Sequence, residues 1–256
     1  MRTALLLHSS GMSSRQWRPL ASELAATHEV LAPDLIGSGE RPPWTGASFH
    51  FREDLDELEA MLRAHGPADL VGHSYGGFLA LQLARRAPEL VRTLAVYDPV
   101  AFGVLNGALP EDLEALATEG RADLARVAEE PRFESHEGDE VWFELFVDYW
   151  NGVGAWRALP DHTREAFLRV GRKVFGEVTT LSRDHTPAEA YAVLRAPALL
   201  ITGERTPPAA RAVVAILART LPNATRLEIT GAGHMGPITH ARRVVPAIVA
   251  HVSAGA

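Results

Sequence analysis

The sequence predicts an α/β fold: a mainly parallel central sheet of about six strands with helices on both faces. Three observations point there. Short apolar runs alternate with helix-period segments along most of the chain. The runs are continuously apolar, as strands covered on both faces should be. The length, 256 residues with 46% hydrophobic and 22% charged side chains, suits one large core.

Thr3 to Leu7 is the first such run, followed by the small-residue loop His8-Ser9-Ser10-Gly11-Met12-Ser13-Ser14 and a helix-like stretch from Trp17 to Ala26. Glu29 to Ala32 is a second strand, stopped by Pro33-Asp34, and a turn-rich stretch runs on to Pro43. Phe51, Leu55, Leu58 and Leu62 recur at helical spacing until Gly66-Pro67 ends that helix. Ala68 to Val71 is a strand, Phe78 to Arg85 a helix, and Val91 to Tyr97 a strand leading into Asp98-Pro99. Ala198 to Thr202 and Ala224 to Ile229 are further strands, separated by a helix from Pro208 to Leu221. Gly231-Ala232-Gly233-His234 is a loop, and a final helix spans about Ile238 to Val252.

One section breaks the alternation. Helix-like stretches at Glu111 to Glu119, Ala122 to Glu129, Glu140 to Trp150 and Arg164 to Phe175 follow one another without a strand signal. The section is therefore expected to be a helical cap, residues 104–190, inserted after the strand ending at Asp98 into a core of residues 1–103 and 191–256. Its aromatic residues are expected mostly to pack the cap's own core, with Trp142, Phe146 and Trp150 the candidates to line an apolar pocket.

Composition narrows the function classes. A formal net charge of -7 gives no basic surface for nucleic acid. With no cysteine, disulfides, thiolate nucleophiles and Cys-bound metals are excluded. The opening stretch lacks a cleavage-site pattern and no run of 18 apolar residues occurs, so a cytoplasmic protein without a membrane span is expected. Gly37-x-Gly39 opens no helix at dinucleotide-binding spacing, no phosphate-binding Gly-Lys-Ser/Thr loop or His-Glu-x-x-His motif is present, and the histidines are scattered. The expected partner is a small-molecule substrate, with no cofactor and no metal, acting on a monomer or homodimer.

The stretch Gly72-His73-Ser74-Tyr75-Gly76-Gly77 carries the chemistry. It reads G-x-S-x-G between a strand and a helix, where a sharp turn exposes the serine. Together with the His8 loop, Asp34-x-x-Gly37-x-Gly39 and Gly231-Ala232-Gly233-His234, in that order, it resembles the α/β-hydrolase family over nearly the whole chain. The chain starts at what would be that family's third strand.

The resemblance implies Ser74 as nucleophile and His234 as general base. It implies an oxyanion hole from the backbone N–H groups of Tyr75 and of Ser10, with Ser9 next in line. Many relatives place the acid after the penultimate strand, but Gly203-Glu204-Arg205-Thr206 offers only Thr206 at that position. A minority place it after the strand that follows the elbow helix, where this chain has Asp98. Asp98 is thus the expected acid, Glu204 the alternative, and a degraded or two-residue site the third option. Ser9, Trp142, Phe146, Trp150 and Met235 are the expected pocket residues, and His8, His73 and Asp34 are read as structural. The expected function is hydrolysis of a carboxylic ester or lactone with an apolar portion. The alternatives are a thioesterase, a carbon–carbon bond hydrolase, or a non-catalytic small-molecule receptor on the same fold.

Overall fold

Successive side chains of a strand point to opposite faces, and here both faces are apolar. In β1 (Arg2–Leu7), Leu5 and Leu7 enter one buried cluster with Leu70, Val96 and Leu200 from neighbouring strands. Ala4 and Leu6 enter a second cluster with Val71, Tyr97 and Ile201. Each face therefore needs a helical layer. The computed structural model, which describes residues 1–107 and 109–254, supplies both.

The remaining strands are β2 (His28–Leu31), β3 (Ala68–His73), β4 (Val91–Tyr97), β5 (Ala198–Gly203) and β6 (Ala224–Ile229). All pairings are parallel, in the order β2-β1-β3-β4-β5-β6. β3 and β5 are buried throughout, whereas the edge strand β6 exposes Thr225 and the charged Arg226 and Glu228, which discourage further pairing. Strand order reverses between β1 and β3. In open parallel sheets that switch point opens a crevice at the carboxyl ends of the strands.

On the first face lie α2 (Phe51–His65), α3 (Tyr75–Arg86) and, further along the chain, the helix Pro208–Thr220. Ten of the twelve residues of α3 are buried, so this helix is the centre of the fold. On the second face lie α1 (Arg18–Leu24), preceded by a 3₁₀ turn at Ser14–Trp17, and the C-terminal helix Ala241–Ala254. That last helix starts later than the sequence pattern implies, because a separate short helix, Gly236–Thr239, precedes it.

Between β4 and β5 the described chain is helical, as the cap reading expects: α4 (Glu111–Ala128), α5 (Pro131–Ser135), α6 (Glu140–Asn151), α7 (Ala155–Ala158), α8 (Asp161–Arg169) and α9 (Gly171–Ser182). The helix Pro208–Thr220 is then α10, Gly236–Thr239 is α11 and Ala241–Ala254 is α12. Two boundaries differ from the sequence reading. The expected break near Gly120 is absent, since α4 passes close to α10 there. A Cβ on Gly120 would lie 3.2 Å from Ala209 Cα and 3.3 Å from the Ala212 side chain. The glycine thus serves a tight helix crossing and does not end the helix. Conversely, the stretch read as one helix from Arg164 to Phe175 divides at Val170, where Gly171 packs against the carbonyl of Gly138.

Candidate active site

Ser74 sits between β3 and α3 with φ 54° and ψ −117°, a conformation that costs a non-glycine residue about 1–3 kcal/mol. The surroundings hold it there. Its N–H donates to the Tyr97 carbonyl at 3.0 Å, and its carbonyl accepts the Phe78 N–H at 2.9 Å. The chain can turn so sharply because Gly76 lies against the end of β1, where a Cβ would come within 2.5 Å of the His8 carbonyl oxygen. The hydroxyl is thereby presented at the carboxyl end of the sheet, beside the switch point.

His234, in the loop between β6 and α11, meets this hydroxyl: its Nε2 is 2.9 Å from Ser74 Oγ. Its Nδ1 is 3.3 Å from Asp98 Oδ2. Asp98 follows β4 with φ 42°, a left-handed conformation that Asp tolerates better than most residues, and its N–H donates to the Ile201 carbonyl at 2.9 Å. Thr206 lies in the loop after β5 and donates its hydroxyl to the same Asp98 oxygen at 2.7 Å. Glu204 is elsewhere: it is exposed and accepts the Gly231 N–H at 2.7 Å. Ser74, His234, Asp98 and Thr206 are all buried. Burial pushes the Asp98 carboxyl up and the His234 imidazole down, each toward its neutral form, while hydrogen bonds from Thr202 and Thr206 favour the carboxylate.

The loop after β1 faces Ser74. Ser10 lines the cavity, and neither its N–H nor the Tyr75 N–H donates a hydrogen bond among the described residues. Ser9, by contrast, spends its hydroxyl on Gln16 Oε1 at 2.9 Å. His8 accepts the Leu35 N–H on Nε2 and bonds the Ser9 carbonyl through Nδ1, holding the loop against the next one. His73 bonds the His234 carbonyl at 2.8 Å and so supports the histidine loop from below. Asp34 accepts the N–H groups of Ser14 and Glu40.

A buried ionic cluster escaped the sequence reading. Lys173 of α9 bonds Asp54 of α2 at 2.8 Å and also Glu177, one turn further along α9. The Tyr75 hydroxyl donates to the same Asp54 oxygen at 2.9 Å, and the Ile36 N–H to the other at 2.9 Å. Burial works against the ammonium charge, but Glu177 and Asp54 outweigh it and hold Lys173 above its usual range. This cluster ties the helical section to the core at Tyr75, beside Ser74. Its signal in the sequence, a Lys and a Glu four residues apart, matches an ordinary solvent-facing helix pair.

Two cavities meet at Ser74. The larger, about 690 Å³, is walled by Phe102, Leu124, Phe133, Phe146, Trp150 and Phe175, with Arg121, Arg183 and His185 also on its wall. The smaller, about 300 Å³, is lined by His234, Met235, Ser9, Val147, Leu159 and Phe167. Phe146, Trp150 and Ser10 border both. Trp142 corrects the expectation: it lines neither cavity. It is fully buried in the helical section's own core, 4.8 Å from Phe146 and 5.2 Å from Phe143. Its position on α6 turns it inward, whereas Trp150, two turns later, faces the sheet.

The family model described as the alpha/beta hydrolase family matches residues 4–247. The chain belongs to that family. It is 38% identical over 114 residues to 2-hydroxymuconate semialdehyde hydrolase of Pseudomonas sp. (strain CF600), covering 40% of this chain and 39% of the relative. It is 37% identical over 97 residues to lipase LipV of Mycobacterium tuberculosis, covering 37% of this chain and 36% of the lipase. The chain thus spans under half the length of these curated relatives. A thermophilic esterase from Thermogutta terrifontis shares the fold, with a TM-score of 0.69 at 22% identity over 100% of this chain and 90% of that one. Among the described residues no helix is long and apolar enough to cross a membrane.

Proposed function

We propose that this protein is a serine hydrolase that cleaves a carboxylic ester or lactone through Ser74, His234 and Asp98. The observation that carries the reading is the buried relay from Ser74 Oγ to His234 Nε2 at 2.9 Å and from Nδ1 to Asp98 Oδ2 at 3.3 Å, at the meeting point of two apolar cavities. A serine hydroxyl is a weak nucleophile until a base takes its proton. As Oγ bonds to the carbonyl carbon, its proton passes to Nε2 and the carbonyl π electrons move onto oxygen. The N–H groups of Ser10 and Tyr75 stabilise that oxyanion. Asp98 holds the imidazole in the tautomer that leaves Nε2 free to accept, and stabilises the imidazolium.

When the intermediate collapses, the bond to the leaving oxygen breaks and that oxygen takes the proton from Nε2. Water then repeats the sequence on the acyl-enzyme. Since the leaving oxygen must reach Nε2, the alcohol portion belongs in the smaller cavity that His234 lines. The acyl portion belongs in the larger one. Both walls favour an apolar substrate. The name of a lipase among the relatives supports ester chemistry.

A fluorophosphonate probe followed by peptide mass spectrometry tests the reading. A single adduct on Ser74, absent in Ser74→Ala, together with turnover of p-nitrophenyl esters, is the expected result. No adduct on Ser74, with an active esterase labelled alongside, would sink the enzyme reading and favour a small-molecule receptor.

A further inference from the structure

The catalytic role proposed for His234 leaves one of its contacts unused. The indole of Trp150, near the end of α6, lies on the imidazole with ring centroids 3.7 Å apart and planes 20° from parallel. Trp150 is itself nearly buried and is steadied by its neighbour Tyr149, whose ring is 4.7 Å away and whose hydroxyl bonds Asp123 at 2.9 Å. The imidazole is thus held at both ring nitrogens by Ser74 and Asp98, and on its face by a side chain from the helical section.

We propose that Trp150 is a positioning residue that stabilises the imidazolium form of His234. The proposal rests on the hydrolase reading for its catalytic consequence and on the stacking geometry for its physical basis. An indole face attracts a cation within about 6 Å, and the attraction grows where water is excluded. The resting imidazole is neutral, because burial keeps it so. It becomes cationic only as Ser74 attacks. The indole therefore interacts more strongly with the transition state than with the resting enzyme, the condition for raising kcat and not merely tightening binding. The groups that face His234 from the core are Asp98 at Nδ1, Ser74 at Nε2 and His73 at the backbone carbonyl, while the Tyr97 hydroxyl bonds the adjacent Gly233 carbonyl at 2.8 Å. From α6 comes the uncharged indole. Removing it should make the imidazolium less stable and leave the other contacts in place.

The test compares wild type, Trp150→Phe and Trp150→Leu by two readouts. The first is the His234 pKa from ¹⁵N-histidine NMR, which needs no substrate. The second is kcat and KM on p-nitrophenyl acetate. In Trp150→Leu, kcat should fall about tenfold with KM changed less than about twofold, and His234 should titrate up to about one pH unit lower than in wild type. Trp150→Phe, which keeps an aromatic face, should recover most of both. An unchanged His234 pKa, with the loss confined to KM, would overturn the proposal and leave Trp150 as a pocket wall. A lowered pKa in a protein with no esterase turnover would sink the hydrolase reading while keeping the stacking effect. Should Trp150→Leu not fold, Trp150→Phe still decides, since an indole effect requires its pKa to lie below that of wild type.

Discussion

The sheet edge and the helical section that covers it contribute to the site by different means. From the sheet come groups fixed by backbone: Ser74 and Asp98 both occupy positive φ, and each is pinned by its own N–H to a neighbouring strand. From the helical section come side chains that reach down: Trp150 onto His234, Lys173 onto Asp54, and the aromatic walls of the larger cavity. The first kind of placement follows from the strand ends. The second depends on docking, so it can differ between chains that share the sheet. The reactive geometry belongs to the fold, and the shape of the space above it belongs to the insertion.

Breaking the joint between the two regions should have the largest effect on stability. Lys173→Met leaves Asp54 and Glu177 buried without their cation, and removal of one partner from such a cluster costs about 3–5 kcal/mol. Urea denaturation should show that loss as a lower midpoint with an unchanged slope. A loss below about 1 kcal/mol would mean that the cluster is hydrated and the joint weaker than described.

A smaller effect sharpens the sheet side. Thr206→Val removes a hydrogen bond that favours the Asp98 carboxylate, so the Asp98 pKa should rise further. Less carboxylate is then present at a given pH, and the acid limb of kcat/KM should move to higher pH. Near neutrality the rate should fall about tenfold, from a bond of charged-group strength, and recover as pH rises. A uniform loss at every pH would indicate displacement of Asp98 and not a changed ionisation.

Legibility in the sequence follows the same division. The strands, the elbow and the loop holding His234 were readable because each is a local pattern: an apolar run, small residues at a turn, a glycine-flanked loop. Asp98 was singled out only through the family resemblance, by its place just after β4. The service of Thr206 was not readable, because its hydroxyl crosses from one strand end to the next and only the assembled sheet shows the contact. Glu204 illustrates the converse: chain position kept it as an alternative acid, yet its carboxylate turns to the Gly231 N–H. In the helical section, periodicity marked α6 as a helix but could not say that Trp142 faces inward while Trp150 meets His234. Lys173 carried no signal of its own, because its burial depends on α2, more than a hundred residues earlier in the chain.

The comparison of Asp98→Asn with Glu204→Gln bears most directly on the central claim, that an acid displaced to the end of β4 orients His234 for attack by Ser74. Both substitutions keep size and remove charge, and both are read as kcat/KM on one p-nitrophenyl ester at neutral pH. The account predicts a fall of about 10⁴-fold for Asp98→Asn, as for a triad that loses its orienting carboxylate, and a change within about twofold for Glu204→Gln. Turnover unaffected by Asp98→Asn and abolished by Glu204→Gln would contradict it.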